Sequence, residues 1–232
     1  MSAARLRHPQ GEGGAALGVL ADKQIDVVDQ DYLTAGGDAV VNSTNDMLAI
    51  GSNVSQRIAL AAGEALEAAL QAILCSSPRV PLPLGSAVAT GSFGLGGETG
   101  TRFIVHAVGV GCRRHAGSGG RLLATPKTVF DAVSASVRVA DALKCRTLVF
   151  PVMFSRPGYS VLRCDASTVR WVMGASVVLG IRATLPAAEW LERATISVFS
   201  GDRYLEECDR AMFQCLVREP GKIDSVVGVG SW

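Results

Sequence analysis

The chain has 232 residues, 48% hydrophobic and 19% charged, with a net charge of +1. This composition supports a substantial core and excludes a disordered chain. The near-neutral balance argues against a broad nucleic-acid surface. Six cysteines (Cys75, Cys112, Cys145, Cys164, Cys208 and Cys215) form no paired C-x-x-C framework, and no secretory signal is evident. Reduced thiols in a cytoplasmic protein are the expectation. Cys112 and His115 stand alone as a C-x-x-H pair, an incidental loop feature more than a zinc site. No metal and no cofactor is expected. No apolar run reaches the ~18 residues that span a bilayer, so no membrane partner is expected.

In chain order, residues 1–20 are rich in Gly, Ala and Arg without a period and read as a flexible N-terminal arm. Lys23 to Asp29 alternates apolar and polar and reads as a strand. A second strand covers Asp38 to Asn42, and helical spacing from Val54 to Ile73 predicts one helix from about Asn53 to Leu74. Pro78, Pro81 and Pro83 follow as a loop. Ser86 to Ser92 and Arg102 to Val108 read as a hairpin joined by a Gly-rich turn, Gly94 to Gly100. A loop with Arg113, Arg114 and His115 precedes a helix from Thr125 to Leu143. Thr147 to Val152 is an apolar strand, buried on both faces. Asp165 caps a helix to about Leu179, Ala194 to Phe199 is the last strand, and Asp202 caps a final helix. Residues 219–232 read as a tail, leaving one domain over 21–218.

Strands alternating with helices predict an α/β fold, a three-layer α/β/α sandwich with a mixed, largely parallel sheet. Ligands bind such sheets outside the carboxyl ends of the strands. One stretch there carries the strongest chemical signal. Asn42-Ser43-Thr44-Asn45 closes a strand, and Gly51-Ser52-Asn53 runs into a helix. A helix N-terminus behind a glycine-bearing loop suits a phosphate, and nearby carboxamides suit sugar hydroxyls. Taken alone, the stretch reads first as a plain strand–turn–helix with turn asparagines, ahead of a phosphate site.

These residues, with Leu48, Val54, Ile58 and Ala61-Ala62-Gly63, resemble the signature of the macro domain family, roughly N-A-A-N, a hydrophobe, G-G-G-V, A-I and A-A-G. Further segments agree. Asp31 with Tyr32 resembles the family's G-D-I-T turn without its glycine. Pro83 to Gly91 resembles P-x-G-x-A-x-x-T-x-G, and Ile104 to Gly109 resembles I-x-H-A-V-G. His106, inside an apolar strand, reads as a satisfied structural histidine.

The resemblance implies ADP-ribose, free or on a mono-ADP-ribosylated protein, as the partner. It implies that Asp31 accepts from the adenine amino group, with Tyr32 beside it. Gly51, Ser52, Asn53, Val54 and Ser55 would line the diphosphate and distal ribose. Asn45 would bond the distal ribose and serve in any catalysis, with Asn42 tying the loop. Two departures matter. Ser55 replaces the aspartate of the hydrolase branch and cannot act as a carboxylate base. The second phosphate loop, P-A-I-S-T-G-x-Y-G in the family, reads here as Pro151-Val152-Met153-Phe154-Ser155-Arg156-Pro157-Gly158-Tyr159. Ser155, Arg156, Pro157, Gly158 and Tyr159 are its expected ligand-side residues. Binding therefore ranks ahead of mono-ADP-ribosyl hydrolysis or O-acetyl-ADP-ribose deacetylation, and ahead of a degenerate domain used for protein interaction.

Overall fold

The computed structural model describes residues 16–20, 22–112, 123–154, 160–199, 203–219 and 221. Seven strands form a single sheet in the order β1-β2-β7-β6-β3-β5-β4. They are β1 (Ala16–Leu20), β2 (Lys23–Val28), β3 (Ala39–Asn45), β4 (Ala87–Gly91), β5 (Phe103–Val110), β6 (Thr147–Pro151) and β7 (Arg193–Ser197). The five central strands run parallel. The edge strands β1 and β4 are antiparallel to their neighbours. The helices are α1 (Asn53–Ala62), α2 (Ala65–Ser76), α3 (Gly94–Thr99), α4 (Pro126–Ala142), α5 (Ala166–Thr184) and α6 (Arg203–Arg218).

The period-2 alternation of the strands builds two cores. On one face Val41, Val105, Phe150 and Ile196 pack with Val133 of α4, Met173 of α5 and Phe213 of α6. On the other face Val40, Ile104 and Val149 pack with Ile58 of α1 and Leu66 and Leu70 of α2. The strands are covered on both sides, as parallel sheets require. Each fully buried side chain such as Phe150 or Ile104 contributes about 1.5–3 kcal/mol. Among the described residues no single helix is long and apolar enough to cross a membrane.

Four elements differ from the sequence expectation. Part of the expected arm, Ala16–Leu20, pairs with β2 as strand β1. Its alternation is masked by glycine and alanine. The single helix expected over residues 53–74 is two helices with a 113° bend between them. Gly63 makes the break with φ 81, a left-handed backbone that a side chain would strain. The Gly-rich turn between β4 and β5 holds the short helix α3. Helix α5 runs on past Leu179 to Thr184. Its N-cap is Asp165, whose carboxylate accepts the Thr168 amide at 3.0 Å. The predicted cap at Asp202 lies outside the described residues, as do 1–15, 113–122 and most of the tail.

The chain leaves β3 toward α1, α2 and the β4/β5 edge. It leaves β6 toward α5 and β7 on the other side. The strand order therefore changes direction between β3 and β6. In open α/β sheets ligands bind at such a switch point, outside the carboxyl ends of the strands.

Candidate ligand site at the carboxyl edge of the sheet

The loop from β3 into α1 is held by its own side chains. Asn45 Oδ1 accepts the amides of Met47 and Ala49 at 3.0 and 3.1 Å, and Asn45 Nδ2 donates to the Ala49 carbonyl at 3.3 Å. Asn45 thus ties the loop, the role expected of Asn42. Ser52 is the N-cap of α1 and forms a reciprocal capping box with Ser55. Ser55 Oγ accepts the amides of Gly51 and Ser52 at 3.1 and 2.9 Å and donates to the Ser52 carbonyl at 3.0 Å. Two amides expected to face a diphosphate are therefore turned onto a buried serine. The amides of Asn53 and Val54, first in the helix, have no intrahelical acceptor. Together with the positive end of the α1 dipole they are what the helix N-terminus presents at this edge.

The second half of the site lies at the ends of β2 and β7. Asp31 Oδ1 accepts the Leu33 amide at 3.1 Å, closing the turn. Its Oδ2 forms an ion pair with Arg57 Nη2. Arg57 comes from the second turn of α1 and links that helix to the turn after β2. Its guanidinium carbon lies 5.1 Å from the centre of the Tyr32 ring and 6.0 Å from that of Phe199. Tyr32 is buried and donates its hydroxyl hydrogen to the Val54 carbonyl at 3.4 Å. Burial pushes its pKa up to about 12, against the partial pull of Arg57, so the ring stays neutral. Phe199, by contrast, is 39% exposed.

Beneath α1 runs a buried polar row across β3, β5 and β4. Asn42 Nδ2 meets His106 Nδ1 at 3.1 Å, and His106 Nε2 meets Thr90 Oγ1 at 3.0 Å. With the carboxamide donating to Nδ1, the imidazole carries its proton on Nε2 and donates to Thr90. Asn42 Oδ1 is then the one buried side-chain polar atom without a partner among the described residues. Asn42 consequently does not tie the loop; it pairs with a histidine under it. His106 is fully buried, and desolvation lowers its pKa to about 3. It is a neutral structural group.

The second loop leaves β6 through Val152, Met153 and Phe154. Phe154 adopts a left-handed backbone with φ 58, and its ring packs against Gly109. Ser155, Arg156, Pro157, Gly158 and Tyr159 lie outside the described residues, as do Arg113, Arg114 and His115. Among the described residues no group of three His, Cys, Asp or Glu side chains is placed to hold a metal ion.

The structure thus brings together Asp31, Tyr32, Ser52, Asn53, Val54 and Ser55 through Arg57. It adds two residues that the sequence reading missed. Arg57 is the only charged residue in α1, and Phe199 is an aromatic two residues past the end of the last strand. Those were the available signals.

The model of the macro domain family matches residues 41–158. No curated protein matches the chain in sequence. Among solved structures, an Oceanobacillus iheyensis macrodomain with ADP is 18% identical, covers 92% of this chain and 99% of its own, and superposes with a TM-score of 0.65. A Trypanosoma brucei macrodomain in complex with ADP-ribose is 17% identical over 79% of this chain and 68% of its own, with a TM-score of 0.57. The macro domain of ganglioside induced differentiation associated protein 2 is 18% identical over 82% of this chain and 83% of its own, with a TM-score of 0.54.

Proposed function

The chain belongs to the macro domain family, and from that premise we propose that it binds ADP-ribose, free or carried as a mono-ADP-ribosyl group on a protein. The observation that carries this reading is the placement of Asp31 and the N-terminus of α1 on one edge of the sheet, bridged by Arg57. A carboxylate at a strand end accepts from an exocyclic amine. A helix N-terminus with unengaged amides accepts a diphosphate. The first suits the base and the second the phosphates of an adenosine diphosphate. The ligands of the Oceanobacillus and Trypanosoma structures favour the same chemistry.

Binding is favoured over hydrolysis by the state of the polar groups. The Ser55 hydroxyl closes the capping box. The carboxamide of Asn45 is engaged within its own turn. His106 is buried and neutral, without access to a water at the site. None of the three is set up as a general base.

The test is a thermal-shift series. A ligand that binds only the folded chain at 100 times its Kd stabilises by about 2.7 kcal/mol. ADP-ribose should raise the melting temperature of the wild-type protein, and less that of Asp31→Ala. No shift at millimolar ADP-ribose in either protein would defeat the reading.

A further inference from the structure

Arg57 takes no part in capping α1 and lies outside both apolar cores. Its side chain is about one-third exposed, at 36%, yet it is held from three directions by the Asp31 carboxylate and the rings of Tyr32 and Phe199. A guanidinium is planar, with N–H donors on its edge and a face that stacks on aromatic rings. An aminopurine base has the same requirements: a carboxylate for its exocyclic N–H and an aromatic face for its ring. The group that satisfies Asp31 and covers Tyr32 and Phe199 therefore stands where such a base would be received. The two cannot occupy that position together.

We propose that Arg57 is a resident competitor for the base, an affinity-setting residue that leaves Asp31 and the two rings when the adenine of ADP-ribose enters. The proposal rests on the ADP-ribose reading above and deepens it. Arg57 is placed for this role by α1 itself. It lies close behind the amides of Asn53 and Val54, so the helix that receives the diphosphate also carries the group that guards the base position. When displaced, the side chain moves toward solvent, where its charge is well hydrated, so the barrier to entry is the loss of one partly exposed ion pair and its ring contacts. Because a base-free anion needs only the helix N-terminus, it has no competitor to displace.

The test is calorimetric titration of the wild-type chain, Arg57→Ala and Arg57→Gln with ADP-ribose, and with inorganic pyrophosphate as a base-free probe. Alanine is the best helix former, so α1 is preserved, and a melting curve of each variant checks this. Both variants should bind ADP-ribose about three- to thirtyfold more tightly, the range expected for removing one partly exposed ion pair and the nearer of the two cation–π contacts, the other lying at the 6.0 Å limit of such contacts. Pyrophosphate should not tighten. Variants that bind ADP-ribose equally or more weakly than wild type would overturn the proposal and make Arg57 a bystander or a ligand contact. A crystal structure of the wild-type complex with Arg57 still on Asp31 would overturn it as well. If none of the three proteins binds ADP-ribose at millimolar concentration, the ADP-ribose reading fails, and the proposal with it.

Discussion

The Ser55 hydroxyl oxygen lies 3.1 Å from the amide nitrogen of Gly51 and so occupies, from inside the protein, a donor of the loop that leads into α1. The same oxygen takes the amide of Ser52. A loop whose small residues suggest an open phosphate cradle is thus partly closed on itself. The amides of Asn53 and Val54 are what it offers outward.

Ser55→Ala removes half of the capping box. The loss of a helix cap costs about 0.5–2 kcal/mol, measurable as a lower urea midpoint. Because Ser55 faces inward, ADP-ribose affinity should change by less than about threefold, under 1 kcal/mol. A tenfold loss in titration would show instead that the hydroxyl contacts the ligand.

With Ser55 in place of an acid and His106 sealed beneath the helix, the wild-type protein should retain a radiolabelled mono-ADP-ribosylated protein without releasing the label. Release at a rate proportional to enzyme, and abolished by Asn45→Ala, would establish a hydrolase and put Asn45 in its machinery.

Gly109 and Phe154 form a mutual constraint at the base of the second loop. A Cβ at Gly109 would stand 2.3 Å from Phe154 Cζ. Gly109→Ala should therefore destabilise the fold by about 1–3 kcal/mol through overpacking. Adding Phe154→Ala should return part of the loss if the clash is the cause. An additive double mutant in chemical denaturation would contradict that coupling.

Acid should weaken the fold through His106. Its folded pKa is lowered to about 3 by burial, whereas an unfolded histidine titrates near 6.5. Between those values the unfolded chain binds the extra proton. Stability is then fully present above the unfolded pKa and is lost as pH falls toward the folded one, by about 1.4 kcal/mol per pH unit. Asp141 falls outside this window. Burial there is outweighed by the amides of Leu191, Glu189 and Trp190, which hold its carboxyl below the usual range. Urea unfolding from pH 7 to pH 4.5 should show the slope, and His106→Gln should flatten it. An unchanged slope in that variant would assign the effect elsewhere.

Much of this was legible in the sequence, and the residues show why. The parallel sheet and its helices follow from period-2 and helical spacing, which local chemistry reports faithfully. Asp31 and the loop from Asn42 to Ser55 stand out because polar and small residues interrupt apolar runs at the right edge of the sheet. The break at Gly63 did not stand out, because the apolar spacing continues through it and only the backbone's left-handed turn reveals it. The loop-tying role falls to Asn45 and not to the expected Asn42 for a similar reason. Both are carboxamides three residues apart, and which one meets a histidine from β5 depends on strand register. Arg57 and Phe199 were missed because their meaning lies in each other's position, 142 residues apart in sequence and 6.0 Å apart in space.

The most direct test of the account is calorimetric titration of the wild-type protein with ADP-ribose, with Asp31→Ala alongside. The account predicts saturable binding at one site in the micromolar range, about −8 kcal/mol, weakened in the variant. A flat titration at millimolar ligand would contradict it, as would equal binding by the two proteins, since the edge between Asp31 and α1 would then not be the site.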